Sequence, residues 1–438
     1  MGLVTSLVTS AWTQAVETAQ FKQFRVPGKM FANFFLTAKG YRALGFAQDQ
    51  IEQGFQEKPD ELGTISNFKE GMQAHRDELN DPDPSTWDAG FREGRIDAML
   101  LIADDDVTYL LRRAREIINE LEAVATIVAV ERGDALRTEQ GEGIEHFGYV
   151  DGRSQPIYFK GDLKDEGNTS IWNPIEPFSR VLVSDPFGNT EDAFGSYYVF
   201  RKLEQNVLDF KIREHQLAQE LGLKDEDKER AGAMAVGRFE DGTPLTLSQT
   251  DGFLPTKEND FDYSKDPDGH RCPFHAHIRK TNPRGDIIRQ LVPGGDEEQL
   301  ERSRRITRRG ITYGERKRHP NDLPDLDDLS SKEVGLLFQC FQESIPRQFA
   351  FMQKAWVNAD DFVVPGTGPD PVIGQAVPGT TPFKQEWPVE WGPQPDPANP
   401  RQTIPPARKA FSFGEFVKLK GGEFFFAPSM PFLRRLMP

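Results

Sequence analysis

The pattern of apolar and polar residues predicts a strand–helix–strand unit in the first half of the chain. Residues 98–103 (AMLLIA) form a short apolar run that is typical of a buried strand. The acidic residues 104–106 follow as candidate helix caps, and apolar residues then recur at helical spacing over residues 107–124. A second apolar run, residues 125–130 (ATIVAV), predicts the next strand.

The second half repeats this arrangement. Residues 335–341 (GLLFQCF) predict a strand, and Ser344 is a candidate cap for a helix that extends to Trp356. Pro346 falls in the first turn of that helix, where proline is tolerated. Near the C-terminus, residues 416–428 (FVKLKGGEFFFAP) predict a hairpin that turns at the two glycines. Two such halves indicate a duplicated α+β fold with helices on one face of each sheet.

The length of the chain and the segments between these units indicate two domains. A chain of 438 residues exceeds one ordinary hydrophobic core, so two domains or two similar halves are expected. Residues 203–221 predict an amphipathic helix, and the charged residues 224–230 predict a boundary that separates residues 1–225 from residues 226–438. Residues 365–408 are rich in proline and predict a long loop that is functional or flexible.

Composition narrows the class of protein. The formal net charge of -16 argues against nucleic-acid binding, because the phosphate backbone favours a basic surface. Two cysteines, Cys272 and Cys340, do not make a disulfide framework, which indicates a reducing compartment. The N-terminal residues lack the basic region and apolar core of a secretory signal, and no apolar run has the length of a membrane span. We therefore expect a cytoplasmic protein that does not associate with membranes.

Residues 270–284 (HRCPFHAHIRKTNPR) combine histidines and a cysteine with several cations, and three interpretations stay open. Cys272, His275 and His277 are possible zinc ligands, although a structural zinc site usually recruits a further ligand pair. A single histidine can instead be the axial ligand of a non-covalent haem, since the C-x-x-C-H motif of covalent haem is absent. A loop histidine without such a role is the third interpretation.

Two further segments carry candidate chemistry. Residues 302–318 (RSRRITRRGITYGERKR) are strongly basic, which indicates either a solvated surface run or a site for an anion such as the propionates of haem. In residues 145–156 (EHFGYVDGRSQP), Gly148 and Gly152 bracket Asp151 and permit tight backbone geometry that aims one carboxylate. An ordinary Asp-Gly turn would have the same pattern.

The segment GYVDGRSQP resembles the G-x-x-D-G signature of the dye-decolourising peroxidases, and further segments resemble that family in its order. The resemblance covers roughly residues 90–438 and is strongest to the longer members, which include secreted fungal enzymes; the missing signal here indicates an intracellular relative. The stretch before residue 60 matches no motif of the family. The other segments are GSYYVFRKLEQNV (195–207), AVGRFEDGTPL (235–245), CPFHAHIRKTNPR (272–284), RRGITYG (308–314), GLLFQCFQESIPRQFAFMQ (335–353) and GGEFFFAPS (421–429).

The resemblance implies a fold of two ferredoxin-like halves, with haem bound mainly by the C-terminal half. The axial ligand of the iron falls on His277, with His275 as the weaker alternative. The catalytic aspartate of the family falls on Asp151. The distal arginine falls on Arg308, with Arg309 as the alternative if the alignment shifts by one residue.

The same resemblance assigns further residues to the surroundings of the haem. Leu336 and Phe338 match positions that line the distal pocket, although core packing would explain both equally well. His146 is a candidate contact of a propionate, with an ordinary loop histidine as the alternative. Arg279, close to the axial ligand, is a candidate contact of a propionate or of neighbouring backbone.

Two questions stay open at the level of sequence. A haem-bound histidine usually donates its other ring N–H to a carboxylate, and Glu343 and Asp370 are equal candidates for this role. Tyr313 and several of the six tryptophans are candidates for relaying electrons to dyes at the surface. A buried aromatic residue without a redox role is the alternative for each.

The function that the resemblance implies is that of a haem-dependent peroxidase. It would bind one haem b per chain without covalent attachment, reduce hydrogen peroxide, and oxidise dyes and phenolic donors through an oxyferryl intermediate. The alternative is a haem carrier or iron-release protein with the same fold and no turnover. A carrier needs neither Asp151 nor Arg308 on the distal side, so the presence of both favours the enzyme. The oligomeric state does not follow from the sequence.

Overall fold

Residues 1–60, 68–165, 175–252, 259–296, 300–316, 329–375, 384–399 and 401–437 are described by the computed structural model of the chain. Within these ranges the chain combines helices with antiparallel sheets, so the predicted α+β class is confirmed. No helix of the described ranges is both long and apolar enough to cross a lipid bilayer.

An eight-stranded sheet occupies the centre of the molecule. The strands in chain order are β1 Phe31–Leu36, β2 Ala98–Ala103, β3 Val183–Ser184, β4 Phe194–Gln205, β5 Thr307–Arg308, β6 Ile311–Tyr313, β7 Gly335–Gln342, β8 Gln385–Pro388, β9 Gln394–Pro395, β10 Thr403–Ile404, β11 Arg408–Phe411 and β12 Val417–Ala427. The central sheet has the order β2-β1-β12-β4-β7-β5, with β3 beside β4 and β6 beside β7. Two small sheets pair β10 with β9 and β11 with β8.

Strand β12, near the C-terminus, lies between β4 and β1, the strand nearest the N-terminus. It pairs with β4 along nearly its whole length but with β1 only at Leu36 and Phe426. Strands from both predicted halves therefore share one sheet. The predicted boundary between residues 225 and 226 lies in a short helical turn, Asp225–Lys228, and stays a prediction.

The helices surround the sheet. They are α1 Gly2–Leu7, α2 Ala11–Phe24, α3 Ala38–Ala43, α4 Gln48–Gly54, α5 Arg76–Leu79, α6 Ala89–Arg92, α7 Val107–Glu122, α8 Lys160–Asp165, α9 Val207–Leu221, α10 Glu229–Val236, α11 His277–Thr281, α12 Asp286–Gln290 and α13 Met430–Arg435. Two π-helical segments, Pro346–Ala350 and Met352–Val357, follow β7. Side-chain caps fix the longer helices, since Asp106 accepts the Tyr109 N–H at the start of α7 and Asn206 accepts the Asp209 N–H at the start of α9.

Aromatic residues dominate two apolar cores. The larger core packs against the central sheet and contains Phe35, which lies 4.1 Å from the Tyr198 ring centroid. The smaller core lies beneath α9 and α10, where Phe147 stacks on Phe210 at 4.0 Å. These cores keep the strands and helices that carry the candidate site in fixed positions.

Several predicted elements are confirmed. The first apolar run is β2, the amphipathic segment after it is α7, and residues 335–341 lie in β7. The segment after Ser344 is helical, but as two π-helical pieces rather than one α-helix. The Ser344 hydroxyl accepts the Arg347 N–H at 3.4 Å, and Pro346 occupies the first turn as expected.

The predicted hairpin at residues 416–428 is wrong. These residues form the single strand β12, with a register shift between Leu419 and Gly421. A side chain at Gly421 would lie 2.3 Å from the Phe91 ring, and one at Gly422 would lie 2.7 Å from the Met72 sulfur. The two glycines therefore permit close packing against a strand rather than a turn.

Two further predictions at element boundaries are wrong. Residues 125–130 form no strand, and most of their side chains are exposed, so the apolar run has no sheet partner. The predicted helix at residues 203–221 begins at Val207, because residues up to Gln205 pair with β7 and β12 in β4. Parts of residues 365–408 form β8 to β11, and residues 376–383 and 400 of this stretch lie outside the described ranges.

Candidate active site

His277 begins α11, and its ring is held by a buried carboxylate. The His277 Nδ1 lies 2.8 Å from Asp370 Oδ2, and the Asp370 side chain is fully buried. Asp370 Oδ1 accepts the backbone N–H groups of Val372 at 2.7 Å and Ile373 at 3.1 Å. These bonds fix the carboxylate, so Nδ1 carries the proton and Nε2 keeps a free lone pair. Of the two candidate carboxylates, the structure brings Asp370 to His277, whereas Glu343 lies 3.4 Å from Lys58.

Asp151 lies in a loop whose turns need glycine. Gly148 has a φ of 105° and Gly152 a φ of 84°, a region that favours glycine. Asp151 Oδ1 accepts the Gly152 N–H at 2.6 Å and an N–H from Arg308 Nη1 at 2.8 Å. Burial raises the pKa of Asp151, but Arg308, the Gly152 N–H and His277 together lower it further, so the net pKa lies below the usual value. The carboxylate is therefore ionised.

Arg308 is positioned by a strand and by the same loop. It lies in β5 opposite Cys340 of β7. Its Nη2 donates to the Arg153 carbonyl at 3.1 Å, and its backbone N–H donates to Gln155 Oε1 at 3.1 Å. Arg309, the alternative, is the next residue, so its side chain leaves the extended chain on the opposite side. Its guanidinium donates to the Arg308 carbonyl at 2.7 Å. The ion pair with Asp151 thus belongs to Arg308.

The two pairs lie in the same part of the molecule. His277 is among the groups that lower the pKa of Asp151, which requires the two side chains to lie near each other. His277 keeps 24% of its side chain exposed, Asp151 35% and Arg308 33%, so all three are accessible to a ligand. A histidine with one oriented nitrogen and a nearby aspartate–arginine pair fit the requirements of haem.

Leu336 and Phe338, the predicted pocket-lining residues, lie on the strand beside Arg308. Both belong to β7 and alternate with Cys340 on the face that also carries Arg308. Both side chains are half-buried, and Phe338 packs against the larger core, with its ring centroid 6.1 Å from that of Phe349. Their assignment to a pocket wall on the distal side stays a prediction.

His146 and Arg279, the two candidate contacts of a propionate, are both held by partners within the chain. His146 is fully buried, and its Nε2 lies 2.8 Å from the Tyr313 carbonyl. Burial lowers the pKa of His146 to about 4, so the ring is neutral. Arg279 is also fully buried, and its guanidinium donates to both Asp286 oxygens, to Asp266 and to a backbone carbonyl. The structure thus directs Arg279 into a buried network, and not toward the space between His277 and Asp151.

The zinc interpretation finds no support in the described part of the chain. No group of three or more His, Cys, Asp and Glu side chains there is arranged to hold a metal ion. His275 is buried against the Trp387 ring, with centroids 4.3 Å apart. Burial raises the pKa of the Cys272 thiol to about 12, so it is not a thiolate. Of the two candidate axial ligands, His275 and His277, it is thus His277 that is accessible.

Sequence reasoning missed the residues that hold the site in place. Gln155 and the Arg153 carbonyl bind Arg308, and Lys280 and Arg284 bind backbone and side chains of flanking loops. Gln155 and Arg284 lie inside the family-like segments, but nothing in those segments says which atoms they contact. The basic segment 302–318 is only partly described, since residues 317 and 318 lie outside the described ranges.

The chain is similar in sequence to known dye peroxidases over most of its length. No protein-family model matches the sequence. The chain is 41% identical to "Multifunctional dye peroxidase DyP2" from an Amycolatopsis species, over 99% of this chain and 88% of that protein. It is 30% identical to "Dye-decolorizing peroxidase msp1" from Mycetinis scorodonius, over 92% of this chain and 76% of that protein.

Solved structures give the same result. The structure of a DyP-type peroxidase from an Anabaena species is similar with a TM-score of 0.84 and 42% identity, covering 98% of this chain and 86% of that chain. The DyP2 structure from Amycolatopsis is similar with a TM-score of 0.82 and 39% identity, covering 99% of this chain and 88% of that chain. The predicted pair of ferredoxin-like halves fits this shared fold. Sequence and fold together establish that the chain belongs to the dye-decolourising peroxidase family.

Proposed function

We propose that the chain binds one haem b without covalent attachment and uses it to reduce hydrogen peroxide while oxidising dyes and phenolic donors. The observation that carries this proposal is two oriented pairs in one part of the molecule, His277 with Asp370 and Arg308 with Asp151. Membership of a family of haem peroxidases supports the cofactor and the reaction class. When bound, the haem supplies the redox chemistry, which no side chain of the protein can replace.

In this proposal His277 would hold the iron, through the nitrogen that does not face Asp370. The Nδ1–H of His277 donates to Asp370, which fixes the tautomer and the rotation of the ring. Because Asp370 is an acceptor held by two backbone N–H groups, it would also raise the electron density of the imidazole. His275 is not included, since its ring packs against Trp387 within the core.

Asp151 moves the proton of the substrate. Among the described residues both hydrogen bonds to this carboxylate go to Oδ1, which leaves Oδ2 for a proton from hydrogen peroxide. Its lowered pKa keeps Asp151 ionised, and hence able to accept that proton, in acid. The protonated Asp151 would return the proton to the far oxygen, which would leave as water, while the bound haem would supply the two electrons and keep the near oxygen.

Arg308 acts through fixed charge. Its guanidinium is held by Asp151 and by the Arg153 carbonyl before substrate arrives. A preorganised cation at this position stabilises the negative charge that develops on the peroxide oxygens as their bond breaks. Leu336 and Phe338 would limit the water around this charge and so strengthen its effect. His146 stays a candidate propionate contact, although its neutral, buried ring makes it at most a hydrogen-bond partner.

The partners of the protein follow from this chemistry. We propose aromatic and dye-like molecules as the electron donors, and neither nucleic acid nor a membrane as a partner, given the net charge of -16. Cytoplasmic location is supported by two buried cysteines that form no disulfide. The carrier alternative gains nothing from the structure, since a carrier has no use for the Asp151–Arg308 pair.

The absorption spectrum of the purified, haem-loaded protein tests the proposal. We expect a Soret band that changes within the mixing time of a stopped-flow experiment when hydrogen peroxide is added, and that returns when a phenolic donor follows. A Soret band that ignores peroxide would indicate the carrier, and a protein that binds no haem would overturn the proposal altogether.

A further inference from the structure

Three cations that follow His277 are withdrawn from solvent. Arg279 and Lys280 are fully buried, and Arg284 is 2% exposed. Burying a cation is costly unless its donors are satisfied, so each must hold something in place. We propose that residues 277–284 position both sides of the active site, with Lys280 holding the loop behind His277 and Arg284 holding the loop of Asp151. This inference rests on the proposed haem function.

Lys280 closes the loop that carries Asp370. Its Nζ donates to the carbonyls of Ala359 and Gly368, each at 2.7 Å, and to the Val357 carbonyl at 3.4 Å. The Val357 carbonyl also accepts the Asp370 N–H at 2.9 Å. The start and the end of this loop are thus tied to one ammonium group. His277 and Lys280 lie one helical turn apart in α11 and hold the same loop, one through a side chain and the other through its backbone.

Arg284 reaches the opposite side. Its Nη2 donates to Ser154 Oγ and to Asn259 Oδ1, each at 2.8 Å. Its Nη1 donates to the carbonyls of Phe261 at 2.7 Å and Asn259 at 2.9 Å, and the guanidinium lies 3.8 Å from the Phe261 ring centroid. In the described ranges no carboxylate lies within ion-pair distance of Arg284. The guanidinium of Arg284 thus donates to neutral acceptors, and one of them, Ser154, lies in the loop of Asp151.

Ser154 is the residue through which Arg284 acts. It has a φ of 63°, a conformation that a non-glycine residue adopts only when its surroundings hold it. Its hydroxyl donates to Asn259 Oδ1 at 2.7 Å while accepting from Arg284, so both of its hydrogen-bonding functions are engaged. This network fixes the backbone three residues after Asp151.

A shift of Ser154 would disturb both distal groups together. Asp151, the Arg153 carbonyl and Gln155 all bind Arg308, and Ser154 lies between them in the chain. Displacements of about 1 Å at a catalytic group can reduce a rate about 100-fold. Lys280 and Arg284 are therefore positioning residues, because each acts through a group that touches the cofactor or the peroxide.

The proximal part of the inference is tested with Lys280→Met. Loss of the ammonium frees the loop of Asp370, so we expect the haem to dissociate about 10- to 100-fold faster, the range typical of residues that orient a metal ligand. The absorption spectrum of the ferric protein should change as well, since the His277–Asp370 bond sets the electron density of the imidazole. Transfer of haem to an excess of apomyoglobin measures the dissociation rate. Lys418→Met, at an exposed position of β12, is the matched control.

The part of the inference that concerns the loop of Asp151 is tested with Ser154→Ala. This change removes the hydroxyl that accepts from Arg284 and leaves Arg284 in place. The rate of reaction with peroxide, measured by stopped-flow absorbance on fully loaded protein, should fall about 10- to 100-fold. Haem dissociation and the ferric spectrum should stay within twofold of the wild type. A general loss of stability would not produce these opposite responses of Lys280→Met and Ser154→Ala.

The outcomes separate this inference from the proposed function. A wild-type protein without haem or without a peroxide reaction contradicts the function itself. If the wild type behaves as proposed, wild-type haem dissociation in Lys280→Met overturns the proximal part, and a wild-type peroxide rate in Ser154→Ala overturns the distal part. Should Lys280→Met fail to fold, Lys280→Gln replaces it, since its shorter side chain offers two N–H groups to the three carbonyls that Lys280 holds. Dissociation faster than wild type supports the inference, and an unchanged rate refutes it.

Discussion

The two carboxylates of the site differ in how firmly the chain holds them. Asp370 is fully buried, with one oxygen on two backbone N–H groups and the other on His277. Asp151 keeps 35% of its side chain exposed, in a loop between glycines of positive φ, and its partner Arg308 keeps 33%. The carboxylate of one pair is thus built into the core, whereas both members of the other pair are partly exposed.

This difference matches what each pair has to do. A carboxylate that orients a metal ligand must not move, and burial among satisfied hydrogen bonds keeps Asp370 in place. A carboxylate that exchanges a proton with a small substrate must be accessible, so Asp151 is ionised by a neighbouring charge rather than by enclosure. Changes to the first pair should affect haem retention, and changes to the second should affect the peroxide reaction.

The largest effect is expected for the axial ligand. His277→Ala removes the nitrogen that Asp370 orients, and we expect the protein to lose tight haem binding. Haem content after gel filtration measures this. His275→Ala is the control and should retain haem near the wild-type level, because its ring packs against Trp387. The reverse result would place the ligand two residues earlier.

The next effect concerns the distal cation. Arg308→Leu should keep haem but slow the reaction with peroxide about 100- to 1,000-fold, as for removal of one group that stabilises developing charge. Stopped-flow absorbance measures the rate. Arg309→Leu is the matched control, since the Arg309 guanidinium donates to a backbone carbonyl and not to Asp151. A silent Arg308→Leu beside a slow Arg309→Leu would exchange their roles.

A smaller effect is expected when the proximal carboxylate is neutralised. Asp370→Asn preserves the size of the side chain but weakens the acceptor for His277 Nδ1–H. Haem affinity or activity should fall about 10- to 100-fold. Glu343→Gln changes the other candidate carboxylate, which lies beside Lys58, and should have little effect. Equal losses in both variants would argue against a specific role for Asp370.

The smallest effect is a change in pH dependence. Arg308 lowers the pKa of Asp151, so the wild-type carboxylate stays ionised below the ~3.9 of an ordinary aspartate, and its base function is lost only as the pH falls through that lowered value. In Arg308→Leu the pKa should rise, and the acid limb of the peroxide reaction should move to higher pH. An acid limb that stays at the same pH in both proteins would show that another group sets it.

The sequence predicts the residues that carry the chemistry of the site better than it predicts the residues that hold them in place. His277, Asp151 and Arg308 each lie in a short segment with family-like residues, so local sequence identifies them. Asp370 could not be separated from Glu343, because the choice depends on where the loop before it folds. That loop is held by Lys280, through carbonyl groups that leave no trace in the sequence.

The errors in the fold have the same origin. Gly421 and Gly422 are typical of a turn, but here they admit Phe91 and Met72 against a continuous strand. Residues 125–130 have the composition of a strand, yet no neighbouring strand pairs with them. In both cases the deciding contact is distant in sequence. The strands β2 and β7 were predicted correctly because their apolar runs do find such partners.

The most direct test of the account is the peroxide reaction of haem-loaded Asp151→Asn, followed by stopped-flow absorbance from acid to neutral pH. Asparagine preserves the shape of the side chain but cannot accept the proton. We predict an unchanged haem content and ferric spectrum, because His277 and Asp370 are untouched, together with a rate that is about 100- to 10,000-fold lower. A variant that reacts at the wild-type rate across this range would remove Asp151 from the mechanism and contradict the assignment of the distal pair.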